Sequence, residues 1–133
     1  MSDTTRILAG ILLLSLVTVE TGGLYLVKLV RGAAPATPFQ LGFARAGHAH
    51  AAVLLVLSLT ALLYADAVHL SGLWGWLSRV GVPAAALLMP AGFFFSSIGK
   101  DRATPNGFIA LVYAGAIALA AGLASLGVGL LTA

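Results

Sequence analysis

The sequence predicts an all-α protein, a four-helix transmembrane bundle, on three observations. Of the 133 residues, 60% are hydrophobic and only 8% charged, where soluble domains carry roughly 25% charged residues. The apolar residues gather into four runs, each close to the roughly 20 helical residues that cross a hydrocarbon core of about 30 Å. Only short connections separate the runs, which leaves no room for a soluble domain, so residues 1–133 read as one integral membrane domain.

The first run, residues 7–30, follows Arg6 and could pass for a secretory signal. It continues through Glu20 to Lys28 without an Ala-x-Ala cleavage pattern, so it reads as a retained helix. In the connection 31–40, Pro35 and Pro38 stop helix propagation and predict an extended loop. The second run covers 44–68, and the connection after it carries Ser71, Gly72 and the interfacial pair Trp74 and Trp76. The third run, 80–98, contains Pro83 and Pro90. Pro90 has no N–H to donate to the carbonyl of Ala86, which predicts a kink near residues 89–93. A tight polar turn, 99–107, leads into the fourth run, 108–131.

Charge predicts orientation. Arg6 and Arg79 fall on the side of both termini, whereas Lys28, Arg31, Arg45, Lys100 and Arg102 fall on the other. By the positive-inside rule the first and third connections face the cytoplasm and both termini lie outside, in the cytoplasmic membrane of a prokaryote. The net charge of +3 therefore reports headgroup contact with the lipid bilayer, and no nucleic-acid partner is expected. Small residues suggest where helices touch. Ala110, Ala114 and Ala118 form an i+4 stripe on the fourth run, continued by Gly122 and by the offset Ser125 and Gly129, while Gly47 and Ala51 form another on the second. Such stripes permit close backbone approach and suggest a homodimer.

No cysteine is present, so any metal must be held by nitrogen and oxygen. Histidine and glutamate are costly at membrane depth, which singles out His48, His50 and Glu20. Two residues apart on a helix is a rotation of about 200°, so His48 and His50 point to nearly opposite faces. Arg45 lies three residues before His48, on the same face and one turn nearer the headgroups. That spacing suits a haem, with an imidazole on iron and a guanidinium on a propionate. The structural alternative has both histidines bonded to carbonyls and Arg45 reaching phosphate. Glu20 sits mid-span, where it is a proton carrier, a metal ligand or a protonated packing group. From the run boundaries, its depth differs from that of the histidines by roughly 6 Å. His69 reads as interfacial, and Phe93–Phe95 as core or lipid contact.

The string Arg45-Ala-Gly-His48-Ala-His50-Ala51 resembles the start of the second transmembrane helix in the haem-copper oxidase superfamily, nearest its nitric oxide reductase branch, where the pattern is Arg-x-x-His-x-Asn-Ala. The resemblance covers about a dozen residues. It implies His48 as an axial ligand of haem b and Arg45 as the conserved-pattern arginine, with His50 in place of the Asn. That family has twelve helices, and its later histidines have no counterpart here, so its binuclear centre is not implied. What it implies is bis-histidine ligation across a homodimer, or with His50 as second ligand. Glu20, Gly23, Lys28 and Gly32 are also similar to the first helix of the small multidrug resistance transporters, whose Glu exchanges protons for cationic substrates.

Three expectations follow. The first is a membrane haem protein of redox, sensing or cofactor-handling type, with cofactor residues His48, Arg45 and His50; its non-haem variant holds copper or zinc on His48, His50 and Glu20. The second is a proton-coupled transporter centred on Glu20. The third is an accessory subunit of a respiratory-chain complex. No nucleophile with a base and orienting partner is recognisable, and Ser96 and Ser97 read as helix-packing residues.

Overall fold

A computed structural model describes all 133 residues. They form four helices, α1 (Asp3–Val30), α2 (Pro38–Ala67), α3 (Gly72–Ser96) and α4 (Ala110–Thr132), with a 3-10 turn at Gly107–Ile109 ahead of α4. All four are long and apolar enough to cross a membrane. The chain is all-α, as the apolar runs predict, and its length and composition are those of an integral membrane protein.

Three helices begin earlier than their apolar runs, and in α1 and α2 side-chain capping sets the boundary. Ser2 caps α1, accepting from the Thr5 N–H at 3.2 Å. Thr37 and Gln40 form a reciprocal capping box that opens α2 at Pro38, six residues before Ala44. Pro38 therefore starts a helix instead of extending the loop, since its missing N–H would be unsatisfied there anyway. α3 opens at Gly72, so Trp74 and Trp76 ride on the helix, both exposed. Gly72 has a φ of +61°, and a Cβ on the following buried glycine, Gly75, would run into the Leu70 carbonyl. The helix thus turns in tightly on the chain before it. α3 continues without interruption through Pro83 and Pro90.

Short connections make successive helices antiparallel neighbours. α3 packs most extensively on α4, then on α2, while α1 leans mainly on α2. Half of the apolar stretch of α3 is buried against 6% of that of α1, so α3 is central and α1 an edge. One core cluster joins Leu12 of α1 to Leu54, Leu55 and Leu62 of α2 and to Ala85, Ala86 and Met89 of α3. A second joins Ala61, Ala65, Val82 and Leu126.

The stripe on α4 differs from the one the alanines suggested. Ala110 and Ala114 are exposed, while Gly115, Gly122 and Gly129 are buried. Their spacing of seven keeps one face inward over two turns at a time, with Gly115 and Gly122 toward α3 and Gly129 toward Leu70 in the connection before it. At the crossing, a Cβ on Gly81 would lie 2.6 Å from the Gly122 Cα, so the backbones touch. On α2 the Gly47 and Ala51 stripe is buried, with Gly47 against Phe93 and Phe94.

Both ends of the bundle are stitched by polar side chains. At one, Asp66 accepts from the Ser2 N–H (2.7 Å), the Ser2 hydroxyl (2.9 Å) and the Thr5 hydroxyl (2.8 Å), and pairs with Arg79 at 3.7 Å. Arg79 also donates to the carbonyls of Leu70, Gly75 and Ala65. At the other end, the Gln40 amide donates to the carbonyls of Ser97 and Gly99, and the Thr37 hydroxyl donates to that of Arg102. Asn106 donates to the Phe95 carbonyl and caps the turn into α4 by accepting from the Phe108 N–H.

Candidate functional site

Because the capping box starts α2 at Pro38, His48 lies ten residues into that helix, and Glu20 lies ten residues before the end of its antiparallel neighbour. Both are therefore about 15 Å from the same end of the bundle at ~1.5 Å per residue. The depth difference inferred from the run boundaries disappears.

The His48 imidazole lies across α1 where two glycines remove the side chains that would displace it. A Cβ on Gly22 would sit 3.7 Å from Nδ1, and one on Gly23 would sit 3.2 Å from Cε1 and 3.5 Å from Nε2. Neither ring nitrogen of His48 has a hydrogen-bond partner within the protein, in contrast to His50. Three cavities meet at this ring. One of about 240 Å³ reaches between α1 and α3 to Thr18 and Pro90. A second, of about 430 Å³, contains Glu20 with Leu16 and Val17. A third, of about 380 Å³, runs along Leu26 and Val30 to Arg31.

His50 lies on the other side of α2, as the 200° rotation predicts. Its Nδ1–H donates to the Ala46 carbonyl at 2.8 Å, and its ring stands 4.9 Å from that of Phe93, which is edge-on to Phe43 at 5.4 Å. The two histidines are not brought together. Phe93 thus packs in the α2–α3 interface, while Phe95 meets Phe108 edge-on. Ser96 and Ser97 donate to the carbonyls of Phe93 and Phe94, a helix-internal use.

Arg45 is exposed and lines none of the three cavities. Arg31 does, a residue the sequence reading used only as a charge that sets orientation. The i+4 series Gly23, Val27, Arg31 on one face of α1 was the signal that could have found it. Glu20 is exposed and takes part in neither of the chain's ion pairs, Arg6–Asp3 and Arg79–Asp66. His48 and Glu20 share a cavity, but nowhere do three His, Asp or Glu side chains gather closely enough to hold one metal ion. Within one protomer the proposed set His48, His50 and Glu20 is therefore not a single cluster.

The Asp66 cluster also escaped the sequence reading, which used Arg79 only as a loop charge. Side chains of Asp66 and Arg79 are just 16% and 17% exposed, and every buried polar side-chain atom has a partner. That cluster fastens the edge helix α1 to α2 and α3, and leaves no open coordination or reactive group. The groove around His48 is the opposite case, an uncommitted imidazole and carboxylate beside space. Comparison with protein-family models, with curated proteins and with solved structures returns no match for this chain.

Proposed function

We propose that this is a membrane-embedded haem-binding protein in which His48 would ligate the iron and the groove between α1 and α2 would take the porphyrin. One observation carries the reading: an imidazole at membrane depth, with both nitrogens free of protein partners, opens into three adjoining cavities over a pair of glycines. A free nitrogen donor in an apolar setting is costly unless something ligates it.

The walls suit an amphipathic macrocycle. Leu16, Val17, Leu26 and Val30 are apolar, and Arg31 stands at the end where propionates need a cation. Arg45, exposed one turn from His48 toward the headgroups, is the second cation available to them. The bond to Ala46 within its own helix orients the His50 ring against Phe93 of α3, so His50 acts as a positioning residue. Bound haem would supply one-electron chemistry, in a redox, sensing or cofactor-handling role. A second copy of the chain, docked along the exposed edge helix, would supply its own His48 as the other ligand.

Copper or zinc fits less well. These ions take three or four protein ligands, and the groove offers two, His48 and Glu20. Proton-coupled transport is the second reading, favoured by one observation, that Glu20 and His48 line the same 430 Å³ cavity. An accessory role beside a respiratory partner would instead cover the same exposed face of α1.

The test is the visible spectrum of protein made with haem supplied, air-oxidised and then dithionite-reduced. Haem binding expects a Soret band and sharpened reduced α and β bands that vanish in His48→Ala and persist in Glu20→Gln. A featureless spectrum overturns it. Transport abolished by Glu20→Gln and unaffected by His48→Ala would favour the second reading.

A further inference from the structure

At the end of the bundle that holds the first and third connections, the chain carries five cations, Lys28, Arg31, Arg45, Lys100 and Arg102, against one acid, Asp101. Both ion pairs in the protein lie at the opposite end. A cavity of about 420 Å³ opens among these cations, between the last turns of α1 and α3 and the start of α2. Its walls combine apolar and aromatic side chains, Leu29, Phe94, Phe95 and Ile98, with the polar Gln40 and Ser97.

The rim is polar and under-used. Lys28 precedes the wall residue Leu29, and Lys100 follows the wall residue Gly99; both lysines are exposed. Arg102 lies against Gly99, where a Cβ would be 3.1 Å from its Nε. Its Nε and Nη1 donate to the Ile98 and Thr104 carbonyls, and Nη2 has no partner in the protein. The backbone N–H groups of Ala36 and Gly99, both in the wall, make no hydrogen bond with the protein either. A partly apolar slot with free N–H donors in its wall, Arg102 against that wall and two exposed lysines one residue from it in sequence matches a molecule with an acyl chain and an anionic head.

We infer that this cavity is a binding site for an anionic phospholipid, one acyl chain lying in the slot and the phosphodiester resting at Lys28, Lys100 and Arg102. A zwitterionic lipid brings its own cation and gains less from this rim. The site uses neither His48 nor Arg31 and shares only Phe94 with the cavities at His48.

Native mass spectrometry of the detergent-purified chain, offered phosphatidylglycerol and phosphatidylcholine of identical acyl chains, tests it. Phosphatidylglycerol is expected to be retained about tenfold or more over phosphatidylcholine. Lys28→Gln with Lys100→Gln should remove most of that preference, leaving at most about fivefold from the remaining Arg102. Ala36→Trp, at an exposed wall position, should obstruct the slot and lower retention of phosphatidylglycerol while leaving every charge in place. Equal retention of the two lipids overturns the proposal. So does a preference unchanged in the lysine double variant, or retention unaffected by Ala36→Trp.

Discussion

Gly81→Ala is the sharpest test of how α3 and α4 are held together. The added Cβ would lie 2.6 Å from the Gly122 Cα, 2.7 Å from the Ala118 carbonyl oxygen and 2.9 Å from the Gly122 nitrogen. All three are backbone atoms of the facing helix, so no side chain can rotate away. Ordinary carbon contacts are about 3.5–4.0 Å, and the helices must part by about 1 Å, which forfeits a quarter to a half of the dispersion well for atoms at the crossing. Overpacking of this kind costs about 2–3 kcal/mol. Replacing a helical glycine by alanine returns about 1 kcal/mol, so the net loss is about 1–2 kcal/mol. The control is Gly127→Ala on α4, whose Cβ would have nothing within 4 Å and which keeps only the gain. Unfolding in mixed micelles of rising SDS content, read by tryptophan fluorescence, is a direct assay. The only two tryptophans, Trp74 and Trp76, lie on α3, and the Ser125 hydroxyl of α4 donates to the Trp74 carbonyl at 2.7 Å. If Gly81→Ala proves as stable as Gly127→Ala, the backbone crossing at Gly122 is not what holds the pair.

Three further outcomes are expected. Gly23→Leu should cover His48 and abolish haem retention, whereas Gly22→Ala, an ordinary 3.7 Å contact, should leave the spectrum unchanged; haem content of purified protein checks both. Asp66→Ala removes the acceptor of three hydrogen bonds and the partner of Arg79, a loss of about 2–3 kcal/mol after allowing for its partial exposure. An unshifted SDS midpoint in that variant would refute the fastening role. His50→Ala should keep the haem spectrum while losing about 1 kcal/mol from its contact with Phe93, and loss of the spectrum would return His50 to the ligand set.

Much of the fold was legible because the membrane simplifies it. Four apolar runs separated by short polar connections admit one arrangement of secondary structure, and the bilayer requires helices long enough to satisfy their own backbone. The opposed directions of His48 and His50 were legible for the same reason, since helical rotation per residue is fixed. Helix starts were less so. Ser2, Thr37 and Gln40 are polar and vanish in a hydropathy reading, yet their capping bonds extend α1 and α2 beyond the apolar runs.

What the sequence by itself determined is the number of helices, their order, and which residues are too polar for lipid. Tertiary structure alone decided which faces meet. Alanine and glycine stripes look alike in sequence, and only the α3–α4 crossing selects Gly115 and Gly122 over Ala110 and Ala114, because there the helices approach until a Cβ no longer fits. Likewise, a histidine, a glutamate and two glycines are unremarkable apart. Antiparallel packing of α1 on α2 brings them to one depth and leaves His48 over an open groove.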